Sequence, residues 1–322
     1  MLPLPTFYDA SRIGGVFVER GGLVAEAAHA YRKAHRVAPA GTDEFRIAAF
    51  GIDCQIGFCT EGSSLFVPGA VEDTRRTVEW LYRNLGHVTE LVFSLDTHNV
   101  FQIFHPSFWR DESGNPPPPF TTITSADIRV RRYVPAFHEA ACLEYVTRLE
   151  ASGKYVLTVW PYHALLGGVS HALVPALMEA SIFHALVRSA ETRFEMKGTS
   201  PLTESYSVLA PEVSEVGGER VGSFNATLFD KLMTFDRVYV FGQAKSHCVL
   251  STLRDMEAHI ARRDPKLADK IWILEDATSP VPPPPLDPLP AALDFPRAAN
   301  EAFSKLRDSG MHLVKTTDPV TL

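Results

Sequence analysis

The strongest constraint on the fold of this chain is a series of short apolar runs, rich in Val, Ile and Leu, with little polar alternation. RIAAFGID ends at Asp53, ELVFSLD at Asp96, KYVLTVW at Trp160, DRVYVFG at Gly242 and KIWILED at Asp276; MHLVK near the C-terminus is a weaker sixth. Strands that are apolar on both sides must be covered on both faces, as in a parallel sheet. Amphipathic stretches separate them. AVEDTRRTVEWLYRNLG starts at Ala70 with Gly86 as its C-cap, and AFHEAACLEYVTRLEASG starts at Ala136 and closes on Gly153. HALVPALMEASIFHALVRSA carries Pro175, which predicts a kink, and SHCVLSTLRDMEAHIARR follows Gln243 and Ala244 after a short turn. This alternation predicts an open, doubly wound α/β fold, with a mostly parallel sheet of about six strands and helices on both faces. Ligands of such sheets sit beyond the carboxyl ends of the strands.

Residues 1–45 precede the first clear strand and read as an N-terminal extension, helical around LVAEAAHAYRKAHR. Residues 46–322 read as a single domain, with proline-rich surface insertions near 115–120 and 279–290. A net charge of -7 gives no reason to expect nucleic acid or an anionic membrane as partner. MLPLPTFYDA has no basic region followed by a long apolar run, so no secretory signal is expected. Cys54, Cys59, Cys142 and Cys248 lack metal-finger spacing and read as free thiols of a cytoplasmic protein. Whether the chain forms a homo-oligomer stays open.

The chemistry-bearing residues gather at predicted strand ends. In FGQAKSHCVLSTLRD a helix is expected to begin near Ser246 as N-cap, with Cys248 in its first turn. Backbone N–H groups and the helix dipole there favour a thiolate, although a buried structural cysteine fits the same pattern. Asp53 ends the first strand and is a candidate general base for that thiol; alone, it reads first as an N-cap or loop aspartate. Lys197, in RFEMKGTS, falls in a short edge strand and is a candidate partner for both. SLDTHNVFQIFHPSF offers Asp96, His98 and His105 after one strand, and VWPYH offers His163 after another. One carboxylate and several imidazoles suit Zn²⁺, with Fe²⁺ and Mn²⁺ as alternatives, though single histidines often serve only packing. His247 neighbours Cys248, but adjacent residues on a helix do not face each other, so Asp53 is the preferred base.

Taken in order, Asp53, D-T-H, W-P-Y-H, K-G and G-Q-A-K-S-H-C-V resemble the isochorismatase-like cysteine hydrolases, and within them the nicotinamidases. The likeness runs from about Arg46 to the C-terminus and takes in GSSLFVPGA and EDATSP as connecting segments. It implies that fold, a triad of Asp53, Lys197 and Cys248, and metal ligands Asp96, His98 and His163 with His105 as a fourth. It implies that Phe58 and Trp160 sandwich the substrate ring, and that a cis peptide before Ala244 turns the Ala244 and Cys248 N–H groups toward an oxyanion. The expected reaction is deamidation of a small carboxamide, nicotinamide first, through a thioester on Cys248. A related amidase or ureido hydrolase is the alternative; metal-free isochorismatase chemistry and an inactive metabolite-binding scaffold stand behind it. Ser246 replaces the acid, Lys245 the threonine and Ala164 the cysteine usual in the family, and the spacing from His98 to His105 is not the commonest.

Overall fold

The computed structural model describes residues 1–283, 287–289 and 291–322, so part of the second proline-rich stretch lies outside the described residues. The principal elements are α1 (Gly21–His35), β1 (Ile47–Ile52), α2 (Ala70–Arg83), β2 (Val88–Asp96), α3 (Glu139–Ser152), α4 (Pro175–Arg188) and β3 (Thr192–Lys197). They continue with α5 (Ala226–Met233), β4 (Arg237–Gly242), α6 (Leu250–Arg263), β5 (Ile271–Leu274), α7 (Phe295–Asp308) and β6 (His312–Val314).

The six strands pair in the order β6-β5-β4-β1-β2-β3, and every pairing is parallel. All of β1 is buried, and its side chains divide between two cores. Ala48, Phe50 and Ile52 join Tyr145, Leu228, Leu253 and Phe303, from α3, α5, α6 and α7. Ile47 and Ala49 join Val24, Val78 and Leu177, from α1, α2 and α4. Period-two alternation thus feeds two apolar layers, which is why the runs in the sequence lack polar positions.

Four local expectations are corrected. KYVLTVW does not enter the sheet: only Leu157–Thr158 is extended, pairing with Thr122–Ile123 in a two-stranded antiparallel ribbon. The sheet edge is instead β3, whose outward Arg193 and Glu195 make its sequence look like surface. Pro175 starts α4 rather than kinking it, since the first helical position needs no N–H donor. Helix α2 ends at a C-cap of Asn84, before Gly86. Finally, Ser246 is no N-cap: Lys245–Val249 form a π-helical turn capped by Ala244, and α6 follows directly.

In the N-terminal segment, α1 buries Val24, Ala28 and Tyr31, one helical face, against the same layer as α4. Arg20 is hydrogen-bonded to Glu179 of α4 through its backbone N–H (2.9 Å) and its guanidinium (2.8 and 2.9 Å). Among the described residues, no helix is long and apolar enough to cross a membrane. From β1 the chain steps outward through β2 to β3, then returns to place β4 on the other side of β1. The crevice beyond β1 and β4 is therefore the switch point of the sheet, where such folds bind ligands.

Candidate active site

Asp53 leaves β1 in a left-handed backbone conformation, φ 48°, uncommon for a residue with a side chain. Its conformation is held locally: the Asp53 N–H donates to Ser94 Oγ (3.0 Å), and the Ser94 hydroxyl donates back to Asp53 Oδ1 (2.5 Å). Lys197, the last residue of β3, brings its ammonium 3.0 Å from Asp53 Oδ2. That oxygen has no well-directed hydrogen bond among the described residues, so charge is what ties it to the ammonium. Lys197 Nζ also donates to Asp96 Oδ1 and the Ser205 carbonyl, both at 2.8 Å, and lies 3.7 Å from Cys248 Sγ. One buried ammonium thus joins three strand ends.

Burial sets the electrostatics. It pushes the Cys248 thiol well above its ordinary range; the positive charge of Lys197 opposes this only in part, and Asp53 and Asp96 reinforce it. Burial thus works against the thiolate that the helix-start position favours. Burial likewise raises the Asp53 carboxyl, against the pull of Lys197. Burial opposes charge on Lys197 too, but Asp53 and Asp96 outweigh it and hold the ammonium protonated.

The peptide between Gln243 and Ala244 is cis. Gln243 spans the turn beside it, donating from Nε2 to Asp73 Oδ2 (2.9 Å) and accepting the Ser279 N–H at Oε1 (3.3 Å). Gly242 precedes it at φ 121°, where a Cβ would lie 2.0 Å from the Ile52 carbonyl oxygen. Only glycine lets β1 and β4 approach this closely.

Asp96, His98 and His163 offer ligand atoms that all lie within 4.8 Å of one another. Each histidine is oriented from behind by a backbone carbonyl at Nδ1: His98 by Gly198 (3.0 Å), His163 by Pro161 (2.7 Å) and His105 by Asn99 (2.9 Å). This is how metal-binding imidazoles are commonly fixed, with Nε2 as the nitrogen that would meet a metal. The His98 and His163 Nε2 atoms lie 2.8 and 3.6 Å from Asp96 Oδ2. His105 stands just outside that group, its ring centroid 5.8 Å from His98 and 5.7 Å from His163, and its buried Nε2 has no partner among the described residues. An orphaned imidazole nitrogen beside a carboxylate and two imidazoles fits a divalent cation. Gly198, at φ 79°, makes room: a Cβ there would lie 2.7 Å from His98 Cε1 and 2.8 Å from Asp96 Oδ1.

A small cleft opens onto these groups, lined by Asp96, His163, Ala244 and Cys248 on the reactive side. Phe58, Leu65, Val67, Trp160, Tyr206 and Val281 supply apolar walls. Val281 brings the start of the second proline-rich stretch into the pocket wall, while Phe120, closing the first, sits edge-on to Trp160 at 6.0 Å. Cys54, Cys59 and Cys142 are buried free thiols, as is Cys248.

Several participants were not singled out in the sequence. Gln55 clamps Asp96 by donating to its carbonyl (2.8 Å) and accepting its N–H (2.7 Å). Glu204 lines the cavity with a carboxyl that burial pushes up to about 7. Tyr206 accepts the Trp160 Nε1–H at 3.0 Å. The E-S-Y-S stretch just after the K-G motif held the only signal for the last two.

No protein-family model matches the chain, and no curated protein does. Solved structures do. A nicotinamidase/pyrazinamidase from Acinetobacter baumanii superposes with a TM-score of 0.52 at 19% identity, over 86% of this chain and 99% of that one. The yeast nicotinamidase Pnc1p, bound to the inhibitor nicotinaldehyde, gives 0.53 at 16% identity, over 84% and 99%. At such identities the fold is what is shared. The isochorismatase-like hydrolase fold implied by the motifs is the fold of this chain.

Proposed function

We propose that the chain is a thiol amidohydrolase that converts a small aromatic carboxamide, nicotinamide first, to the acid and ammonia. The observation that carries this reading is the Lys197 ammonium, held 3.0 Å from Asp53 Oδ2 and 3.7 Å from Cys248 Sγ at the edge of an apolar cavity. Because burial disfavours a free thiolate, proton loss from Cys248 is coupled to attack: Asp53 takes the proton as sulfur bonds to the carbonyl carbon. The developing oxyanion is received by the Ala244 and Cys248 N–H groups. Asp53 then delivers the proton to the departing nitrogen, the C–N bond breaks, and ammonia leaves. Water, deprotonated by Asp53, hydrolyses the thioester and the thiol recovers its proton.

Phe58 and Trp160 hold the ring between them, consistent with the nicotinaldehyde bound by the yeast enzyme, which shares the ring of nicotinamide. A divalent ion held by Asp96, His98 and His163, with His105 as fourth ligand and Zn²⁺ as first choice, would supply positive charge that orients the substrate. Residues 46–322 act as one hydrolase domain in a cytoplasmic setting.

The test is ammonia release from nicotinamide by purified, metal-loaded protein. Release by the wild type and none by a folded Cys248→Ala variant is the expected result. Equal release by both would reject the thiol mechanism. No release with nicotinamide or a panel of small amides and ureido compounds would leave a binding scaffold.

A further inference from the structure

Strand β3 is an edge of the sheet: it pairs with β2 on one side, and among the described residues no strand pairs with it on the other. An open edge carries unpaired backbone N–H and C=O groups, which proteins ordinarily guard with proline, a bulge or a charge. Over Thr192–Lys197 there is no proline or glycine, and the register with β2 runs without a bulge from end to end. The strand also shows apolar surface, Phe194 being 40% and Met196 65% exposed. Period-two alternation puts these two on one face, where Phe194 stacks on Phe93 of β2 at 6.0 Å. Arg193 and Glu195 lie on the other face, 3.4 Å apart, and Arg193 approaches Glu90 of β2 at 3.8 Å. Lys231 of α5 meets the same Glu90 at 2.7 Å. Charge on this face therefore alternates in sign up to the edge, and the edge itself offers one cation and one anion two residues apart.

We propose that β3 is the interaction surface for a second copy of this chain, joined edge to edge across a two-fold axis into one continuous sheet. Such a contact is isologous: if residue i faces residue j of the partner, j faces i. An antiparallel pair sets residues of the same sheet face opposite one another, so i and j differ by an even number. The axis can then lie at Arg193, at Phe194 or at Glu195. At Arg193 it sets two guanidinium groups against each other, and at Glu195 two carboxylates, like charges that destabilise a ladder. At Phe194 every pair is compatible. Each Arg193 faces a Glu195 of the other copy, giving two ion pairs, Phe194 meets its own counterpart, and Thr192 faces Met196. The charges that would repel a foreign strand are thus complementary to this chain itself. Lys197 closes β3, so the ladder braces the strand that delivers the buried ammonium, with the two candidate sites at its opposite ends. Nothing in this contact depends on the reaction catalysed.

Sedimentation equilibrium of the full chain over a dilution series tests it, and a monomer–dimer equilibrium is the expected result. Arg193→Glu sets like charges opposite each other twice and should weaken the dimer about tenfold. Combining it with Glu195→Arg should restore the dimer. Both variants keep a carboxylate at position 193 beside Glu90, so recovery in the second cannot come from contacts within one copy. Circular dichroism and the urea midpoint confirm that each is folded. The register is read separately by mild oxidation, the native cysteines being buried. Phe194→Cys, on the axis, should form a disulfide-linked dimer much faster than Arg193→Cys, whose counterpart lies on a diagonal beyond disulfide reach. A monomer at every concentration, or a dimer indifferent to Arg193→Glu, overturns the proposal. So does a loss that the charge swap fails to restore, or faster cross-linking through Arg193→Cys.

Discussion

Lys197 Nζ lies 2.8 Å from Asp96 Oδ1, so the ammonium that serves the proposed triad is also bonded to a proposed metal ligand. The proposed nucleophile and the proposed cation group share one buried positive charge. Removing it disturbs both.

Lys197→Met leaves Asp53 and Asp96 buried without their cation, at a cost of about 3–5 kcal/mol. Urea unfolding at pH 7 should register the deficit, and the deficit should shrink as pH falls and the unpaired carboxylates take up protons. Turnover should fall by at least about 100-fold, as loss of a group controlling proton transfer does. A variant as stable and active as the wild type would contradict the shared-charge arrangement.

Gly198→Ala places a methyl group within 2.7 Å of the His98 ring and 2.8 Å of Asp96, on a backbone at φ 79°. Metal affinity should drop about 10–100-fold, the range seen when groups supporting the ligands are disturbed. Competition with a chromogenic chelator measures this without recourse to activity.

The raised pKa of Cys248 predicts sluggish alkylation. A group whose pKa is raised stays neutral over a wider range, so iodoacetamide should modify Cys248 slowly at pH 7 and faster only as pH climbs beyond the ordinary thiol range. Peptide mapping separates it from Cys142, which burial pushes up to about 12. Rapid, pH-independent labelling at neutral pH would mean a pre-formed thiolate.

Glu212 carries a buried Oε2 without a partner among the described residues, and burial pushes its carboxyl up to about 7. The folded state therefore holds this proton more tightly than the unfolded state, and stability declines as pH rises from about 4.5 to 7. Glu212→Gln mimics the neutral form. It should stabilise the protein by about 3 kcal/mol at pH 8 and change little near pH 4, measured by urea midpoint.

The sheet was legible wherever burial on both faces removed polar residues, as in β1 and β4. Strand β3 showed only as a short stretch before Lys197, because an edge strand meets water: Arg193, Phe194 and Met196 are all exposed. KYVLTVW misled for the opposite reason, since Leu157, Val159 and Trp160 are buried among loops rather than in the sheet. Asp53, Asp96, His98, His163 and Cys248 drew notice because each stands at or after a predicted strand end in a spaced motif, and the structure brings them together. Gln55, Glu204 and Tyr206 could not, because their roles depend on which loops meet in space. The π-turn at Lys245–Val249 was equally hidden, as nothing in K-S-H-C-V distinguishes it from an ordinary first helical turn.

The central claim is that Cys248 becomes acylated. Acid-quenching the protein during turnover of nicotinamide, followed by digestion and mass spectrometry, tests it most directly. The account predicts a nicotinoyl group on the peptide carrying Cys248, absent in Cys248→Ala, which also releases no ammonia. An unmodified Cys248 peptide, together with ammonia release that survives Cys248→Ala, would contradict it.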